Sequence, residues 1–334
     1  MRKNLLPNQG VPLSVDYKKD LPGKLGACFD SWYVICDFEY EGEKLGFEWH
    51  HQTINLGEMG VVNTAEFLLM NGTKNICFHN ALTEPVSKKN GVDVEKMCVY
   101  SSWGEFSGNH NKMKLKLEVE DAQLDVVLTP KKEVLYNGTT GLLHFIGADS
   151  HQFSFPNMDI EGTLVTRGKE YKIKNTTAWF DRQWGYTSSD KESVVPMKSG
   201  VVQLAWLWLG MTLNEDNSEA ISLWDAYGVN GKNAFATILK KDGTQRNVLV
   251  DITYDEIWTS KKSGRNYPRI VNVSIPSEEL NLKLESMIDD SEFVRNGVEL
   301  YGCQTLCNVT GSYKGKPIER NVVLEMIGDI CGEE

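Results

Sequence analysis

Met113-Lys114-Leu115-Lys116-Leu117-Glu118-Val119-Glu120 alternates apolar and charged residues without a break. Period two puts one face of an extended chain against a core and the other face in water, whereas a helix would scatter the same residues around its circumference. Similar runs cover residues 32–40, 124–128, 201–213, 248–254, 270–275, 280–284 and 322–326. Turn signals such as Asn137-Gly138, Asp242-Gly243 and Lys314-Gly315 lie between them. Helical pattern is confined to residues 64–70, with a weaker stretch at 94–98, and both are too short for periodicity to decide. Many short antiparallel strands with tight turns make an all-β protein built as sandwiches or barrels.

The chain has 334 residues, more than one hydrophobic core usually serves. The polar stretch Thr187-Ser188-Ser189-Asp190-Lys191-Glu192, running on through Pro196 to Ser199, interrupts the alternation. It is expected to be a linker over 187–199 between an N-terminal unit, 1–186, and a C-terminal unit, 200–334. A net charge of −11 sets the surface against nucleic acid and anionic membranes. No apolar run reaches the length of a membrane span, and no signal-peptide stretch opens the chain, so the expected location is cytoplasmic.

Seven cysteines spread over the chain suit reduced thiols, and no metal site is expected, since no histidine follows His151 to complement Cys303 and Cys307. There is no G-x-S-x-G, no G-x-G-x-x-G and no phosphate loop, so no cofactor is expected. Five of the nine tryptophans flank the linker: Trp179 and Trp184 before it, Trp206, Trp208 and Trp224 after it. Alternation in Leu204-Ala205-Trp206-Leu207-Trp208-Leu209 sends Trp206 and Trp208 to one face and the smaller apolar residues to the other. Such indoles either fill a barrel or a seam, or wall a pocket for a flat apolar molecule.

The segment Trp179-Phe180-Asp181-Arg182-Gln183-Trp184-Gly185 resembles the W-x-D-H-Q-W-G signature of the AttH-like and carotenoid 1,2-hydratase family. Ser31-Trp32-Tyr33-Val34, Gly46-Phe47-Glu48, Ser150 to Pro156, Trp206-Leu207-Trp208 and Glu325-Met326-Ile327-Gly328 are similar to further family segments in the same order. The resemblance spans roughly residues 25–330 and implies two tandem lipocalin-like (calycin) antiparallel β-barrels. Its relatives include kievitone-hydratase-like enzymes and lipocalin-like Diels-Alderases, which implies a hydrophobic small-molecule substrate of isoprenoid, steroid or polyketide type. Two positions depart from the pattern: Arg182 replaces the signature histidine and cannot act as a base, and Trp206 stands where the hydratases carry histidine.

The function this implies is cofactor-independent proton transfer at a double bond, by a hydratase, dehydratase or isomerase. A pericyclase and a non-catalytic carrier of an apolar ligand are the alternatives. Hydration of an alkene needs a protonated acid among groups that tolerate cationic charge. Asp225, near Tyr227, is the leading candidate, and alternation puts Trp224 on the face opposite both. Asp181 is the second candidate, with a structural alternative in which the Asp181-Arg182-Gln183 triplet fixes its strand by hydrogen bonds. Residues expected to line the substrate are Trp32, Trp179, Arg182, Gln183, Trp184, Trp206, Trp208, Trp224 and His50. Glu48 shares a strand face with His50, an arrangement that suits acid-base work or an exposed strand alike.

Overall fold

The strand Lys112–Val119 alternates strictly, with Met113, Leu115, Leu117 and Val119 buried and the charged residues between them exposed. This protein is described by a computed structural model over residues 15–24, 26–131, 134–145, 148–186, 205–228, 231–295 and 300–331. The expected linker 187–199 lies outside the described residues. Among the described residues two antiparallel sheets carry the architecture, one of 13 strands from Phe29–Tyr40 to Lys169–Tyr186 and one of 10 strands from Ala205–Thr212 to Lys316–Ile327. In each sheet the first and last strands in sequence pair with each other, and each sheet curls around its own apolar core. The two curled sheets form half-barrels and match the all-β fold of two tandem lipocalin-like barrels that the resemblance implied.

The two curled sheets also pack on one another. A third apolar cluster combines Tyr33, Ile35, Leu68 and Trp179 of the first sheet with Trp206, Trp208, Trp224 and Leu306 of the second. Strands in this contact are covered on both faces, which erases the alternation seen in Lys112–Val119. Ala205–Thr212 is buried at every position, Leu207 and Leu209 toward the second core and Trp206 and Trp208 toward the first sheet.

The same double burial corrects the helix expected at residues 64–70. They belong to the strand Val61–Asn71, where Phe67 and Leu69 enter the first core while Glu66, Leu68 and Met70 lie on the opposite face. A strand covered on both sides reads as a continuous apolar run and cannot be told from a short helix by period. Residues 94–98 are likewise not helical and lead into the strand Met97–Ser101. The run 248–254 is two strands, Gln245–Leu249 and Asp251–Thr259. Asn137-Gly138 opens a short 3-10 turn, Asn137–Thr139, rather than a hairpin. Among the described residues no helix is long and apolar enough to cross a membrane.

Candidate active site between the two sheets

Strand register assembles the site. Glu66 lies opposite His50, His50 opposite Tyr33, Tyr33 opposite Asp181 and Asp181 opposite Ser154, one residue from each of five adjacent strands. Residues in one such row share a sheet face, and here that face is turned to the second sheet. All five are buried. The facing row of the second sheet reads Gln304, Glu325, Trp208 and Trp224, again in register. The ring of Tyr33 meets Trp208 edge-on at 5.5 Å and His50 edge-on at 5.1 Å.

Asp181 is held by neutral donors. Trp179 Nε1 donates to its Oδ1 over 2.7 Å, Gln152 Nε2 donates to Oδ2 over 3.3 Å, and Ser154 Oγ donates to Oδ1 as well. Burial pushes the carboxyl up to about 7, the nearby Glu325 adds to the rise, and the three hydrogen bonds only partly oppose it. Burial first, then Glu325, Glu48 and Asp181, raise the Tyr33 phenol well above its ordinary range, so it stays protonated. Gln304 Nε2 donates to the Tyr33 hydroxyl over 3.1 Å, and Trp206 Nε1 donates to Glu325 over 3.0 Å.

A hydrogen-bond chain crosses between the sheets. Trp208 Nε1 donates to Ser222 Oγ (3.1 Å), Ser222 and Trp224 Nε1 donate to Asn137 Oδ1 (2.6 and 3.1 Å), and Asn137 Nδ2 donates to Ser154 (3.2 Å), which donates to Asp181. At the other end of the row, Ser31 Oγ and His50 Nε2 are 2.8 Å apart, while His50 Nδ1 lies 3.9 Å from Glu48. Glu48 is fully buried, so its strand is not exposed. Glu48, His50 and Glu66 bring one ligand atom each within 4.8 Å of one another, a donor set that can hold a divalent cation.

The layer therefore unites Asp181, Trp179, Trp206, Trp208, Trp224 and His50. Gln183 borders it, donating to Ser150 over 2.9 Å. Arg182, Trp32 and Trp184 lie elsewhere. Alternation turns them into the first core, where Arg182 pairs with Asp30 at 2.5 Å, donates to the Pro22 carbonyl over 2.7 Å and packs over the rings of Trp32 and Trp184 at 4.0 and 5.0 Å. Asp225 points into the second core with its strand neighbours Ile221 and Leu223 and accepts from the Tyr254 hydroxyl. It is thus across the sheet from Trp224. Tyr227 lies on the strand Ala220–Gly228 opposite Ala205; its side chain is outside the described residues.

Sequence reading passed over Tyr33, Glu66, Gln304, Glu325, Asn137 and Ser154 as site residues. Tyr33 and Ser154 sat inside quoted motifs, and their membership follows once they are paired with Asp181. Glu66 was hidden in the run read as helical. Gln304 and Asn137 carry no local signal for a site, since their bonds to Tyr33 and to Ser222 and Trp224 cross between the sheets.

A family model described as AttH-like matches residues 26–317. The dehydratase asqC of Emericella nidulans is 22% identical over 237 residues, which is 67% of this chain and 63% of that protein's length. An AttH protein of Nitrosomonas europaea shares the structure at a TM-score of 0.77 with 19% identity, covering 98% of this chain and 100% of its own. Kievitone hydratase from Nectria haematococca superposes equally well, TM-score 0.77, with 17% identity over 97% of this chain and 96% of its own. At these identities the superpositions establish a common fold. With the family match running from the first strand almost to the last, the chain belongs to the AttH-like family.

Proposed function

We propose that this chain is an enzyme that adds water to, or removes it from, a double-bond system in a hydrophobic small molecule, with Asp181 as proton donor. One observation carries the reading: Asp181 is buried beside indoles, bonded by neutral donors and not by a cation, and its carboxyl is raised to about 7. A carboxyl so placed is substantially protonated near neutral pH, which acid catalysis at an alkene requires. Arg182, the neighbouring cation, faces the opposite side of the strand and is paired with Asp30. The Asp181 proton is thus not displaced by an adjacent guanidinium.

The rest of the layer suits the same chemistry. Trp208, Trp224 and Trp179 offer ring faces that stabilise developing positive charge, and Tyr33 offers a protonated hydroxyl for orienting water or a substrate oxygen. The names of two relatives, a dehydratase and kievitone hydratase, agree with reversible water addition. No redox cofactor is needed for it. The test is incubation with a panel of isoprenoid, steroid and polyketide-type alkenes and alcohols in heavy-oxygen water, read by mass spectrometry. A product that gains one labelled water, or a substrate that loses one, supports the reading. Isomeric products with no incorporated oxygen point instead to isomerisation or ring closure, and saturable binding without product points to a carrier.

A further inference from the structure

The two oxygens of the Asp181 carboxyl are not equivalent. Oδ1 accepts from Trp179 Nε1 over 2.7 Å and from the Ser154 hydroxyl, whereas Oδ2 meets, among the described residues, only Gln152 Nε2 at 3.3 Å. Neither donor at Oδ1 can reverse. An indole N–H has no acceptor function. Ser154 accepts from Asn137 Nδ2 over 3.2 Å, and the Asn137 amide is itself fixed, because its Oδ1 accepts from Ser222 at 2.6 Å and from the Trp224 indole at 3.1 Å. The single hydroxyl hydrogen of Ser154 is thereby left for Asp181. With both lone-pair positions of Oδ1 taken by donors, the acid proton of Asp181 belongs on Oδ2.

Gln152 is the neighbour that must answer to that proton. It is 2% exposed and shares a face with Ser154, two residues earlier on the strand Ala148–Thr166. Its Nε2 donates to Oδ2, which suits the carboxylate and opposes protonation, while its Oε1 is buried without a hydrogen-bond partner among the described residues. A buried acceptor in that condition is costly. Protonation of Asp181 reverses the demand, because Oδ2–H then faces another donor. A half-turn of the amide lets Oδ2–H donate to Oε1, which gains the partner it lacked. The partner is the acid itself, so no access from solvent is required. The ionisable groups around this corner leave Oδ2 to Gln152. Tyr33 lies opposite Asp181 and stays protonated, Glu325 faces it from the second sheet, His50, Glu48 and Glu66 lie further along the row, and Arg182 is turned to the other face.

We propose that Gln152 is a positioning residue whose amide turns with the charge of Asp181: its oxygen holds the acid proton on Oδ2, and its nitrogen holds the carboxylate once that proton has gone. The inference rests on Asp181 being the acid of water addition. In that reaction the hydrogen on Oδ2 passes to an alkene carbon, whose π pair forms the new C–H bond and leaves a carbocation. Water adds to the cation and returns one proton to Oδ2. The substrate competes with the Gln152 oxygen for the hydrogen, and the amide turns as it leaves, so that a donor replaces it at Oδ2.

The experiment is nuclear magnetic resonance of the full chain, labelled with heavy nitrogen at its glutamine side-chain amides and titrated without substrate between about pH 5 and 9, well to either side of the buried carboxyl. Loss in Gln152→Met assigns the Gln152 signals. They move with a midpoint at about 7. In Asp181→Asn the oxygen of the new amide stays with Trp179 and Ser154, its nitrogen takes the place of the protonated Oδ2, and the Gln152 signals hold the parent's low-pH position throughout. In Ser154→Ala a donor that lowers Asp181 is gone, and the midpoint rises by about 0.5–1 pH unit, the worth of one hydrogen bond. A purely structural Gln152 gives none of these shifts. Three results overturn the proposal: Gln152 signals that do not move in the parent, signals that move equally in Asp181→Asn, which would assign the titration to Glu325, or a midpoint that does not rise in Ser154→Ala. Should Asp181→Asn fail to fold, Ser154→Ala carries the comparison. No substrate enters the titration, so the two readings fail separately: an amide that titrates in a chain adding no water sinks the activity alone, and added water with a static amide sinks the Gln152 assignment alone.

Discussion

Trp179 and Asp181 sit two residues apart on one strand, and the indole nitrogen of the first donates to the carboxylate of the second over 2.7 Å. The tryptophan signature thus carries both the proposed acid and a donor to it, on the face turned to the second sheet. Replacing Asp181 by Asn keeps the size and an acceptor oxygen but removes the transferable proton. Turnover falls by on the order of 10²–10⁴-fold with little change in ligand affinity, the range for loss of one general acid. Steady-state kinetics on the substrate found in heavy-oxygen water decides it, and an Asn variant within a few-fold of the parent sinks the assignment.

Asp181 also gives the protein a pH signature. Its carboxyl binds a proton more tightly folded, at about 7, than unfolded, near the ordinary value of ~4. The associated stability is complete below the unfolded value and is lost as pH rises through about 7, at a limit of about 1.4 kcal/mol per pH unit across that window. Asp37 acts in the same window and direction, so the diagnostic is a difference. Melting temperature falls less between about pH 5 and 8 in Asp181→Asn than in the parent, and kcat/KM of the parent declines above about 7. Parallel melting curves would count against a buried protonated Asp181.

Asp225→Asn is the companion experiment. The Asp225 carboxyl faces the second core and accepts from Tyr254, away from the indoles, so the variant retains turnover within a few-fold. A loss comparable to that expected of Asp181→Asn would move the acid into the second half-barrel.

Arg182→Ala separates structure from catalysis in the signature. It strands Asp30 in the first core and leaves the Pro22 carbonyl without its donor. Breaking a buried pair this way costs about 3–5 kcal/mol, read as a lowered denaturation midpoint, while turnover per folded molecule holds. Lost turnover at unchanged stability would show that the guanidinium reaches the substrate.

Gly210→Ala probes the indole packing. A Cβ there would lie 2.7 Å from the Trp208 ring and 2.8 Å from the Trp179 ring. Overpacking of this kind costs about 1–3 kcal/mol, and the displaced rings change intrinsic fluorescence and its quenching by an apolar polyene. Unchanged fluorescence would mean that the rings are not confined as described.

How much of this was legible in the sequence depends on how many faces each strand has covered. Lys112–Val119 has one covered face and announced itself. Val61–Asn71 and Ala205–Thr212 have two, and in the first of these the result was a false helix that concealed Glu66. The signature placed Asp181 second to Asp225 as the candidate acid, and alternation separated Trp206 and Trp208 from Leu207 and Leu209 correctly. Alternation likewise divided Trp224 from Asp225, and the packing of the sheets decided which of the two faces the layer. Gln304 and Asn137 bond across to Tyr33 and to Ser222 and Trp224 of the opposite sheet, contacts for which no spacing rule exists.

The pairing of Tyr33 with Asp181 joins the first strand of the first sheet to its last. Every strand between them must be synthesised before that pairing can form, and the Trp208 wall arrives later still. Pairings so distant in sequence close slowly, because loop entropy is lost before the contact repays it. A chain interrupted between Tyr186 and Ala205 therefore holds the Asp181 carboxyl without Trp206, Trp208, Trp224 and Glu325. The assembled layer is in effect a late sign that strands from both sheets have been made and folded.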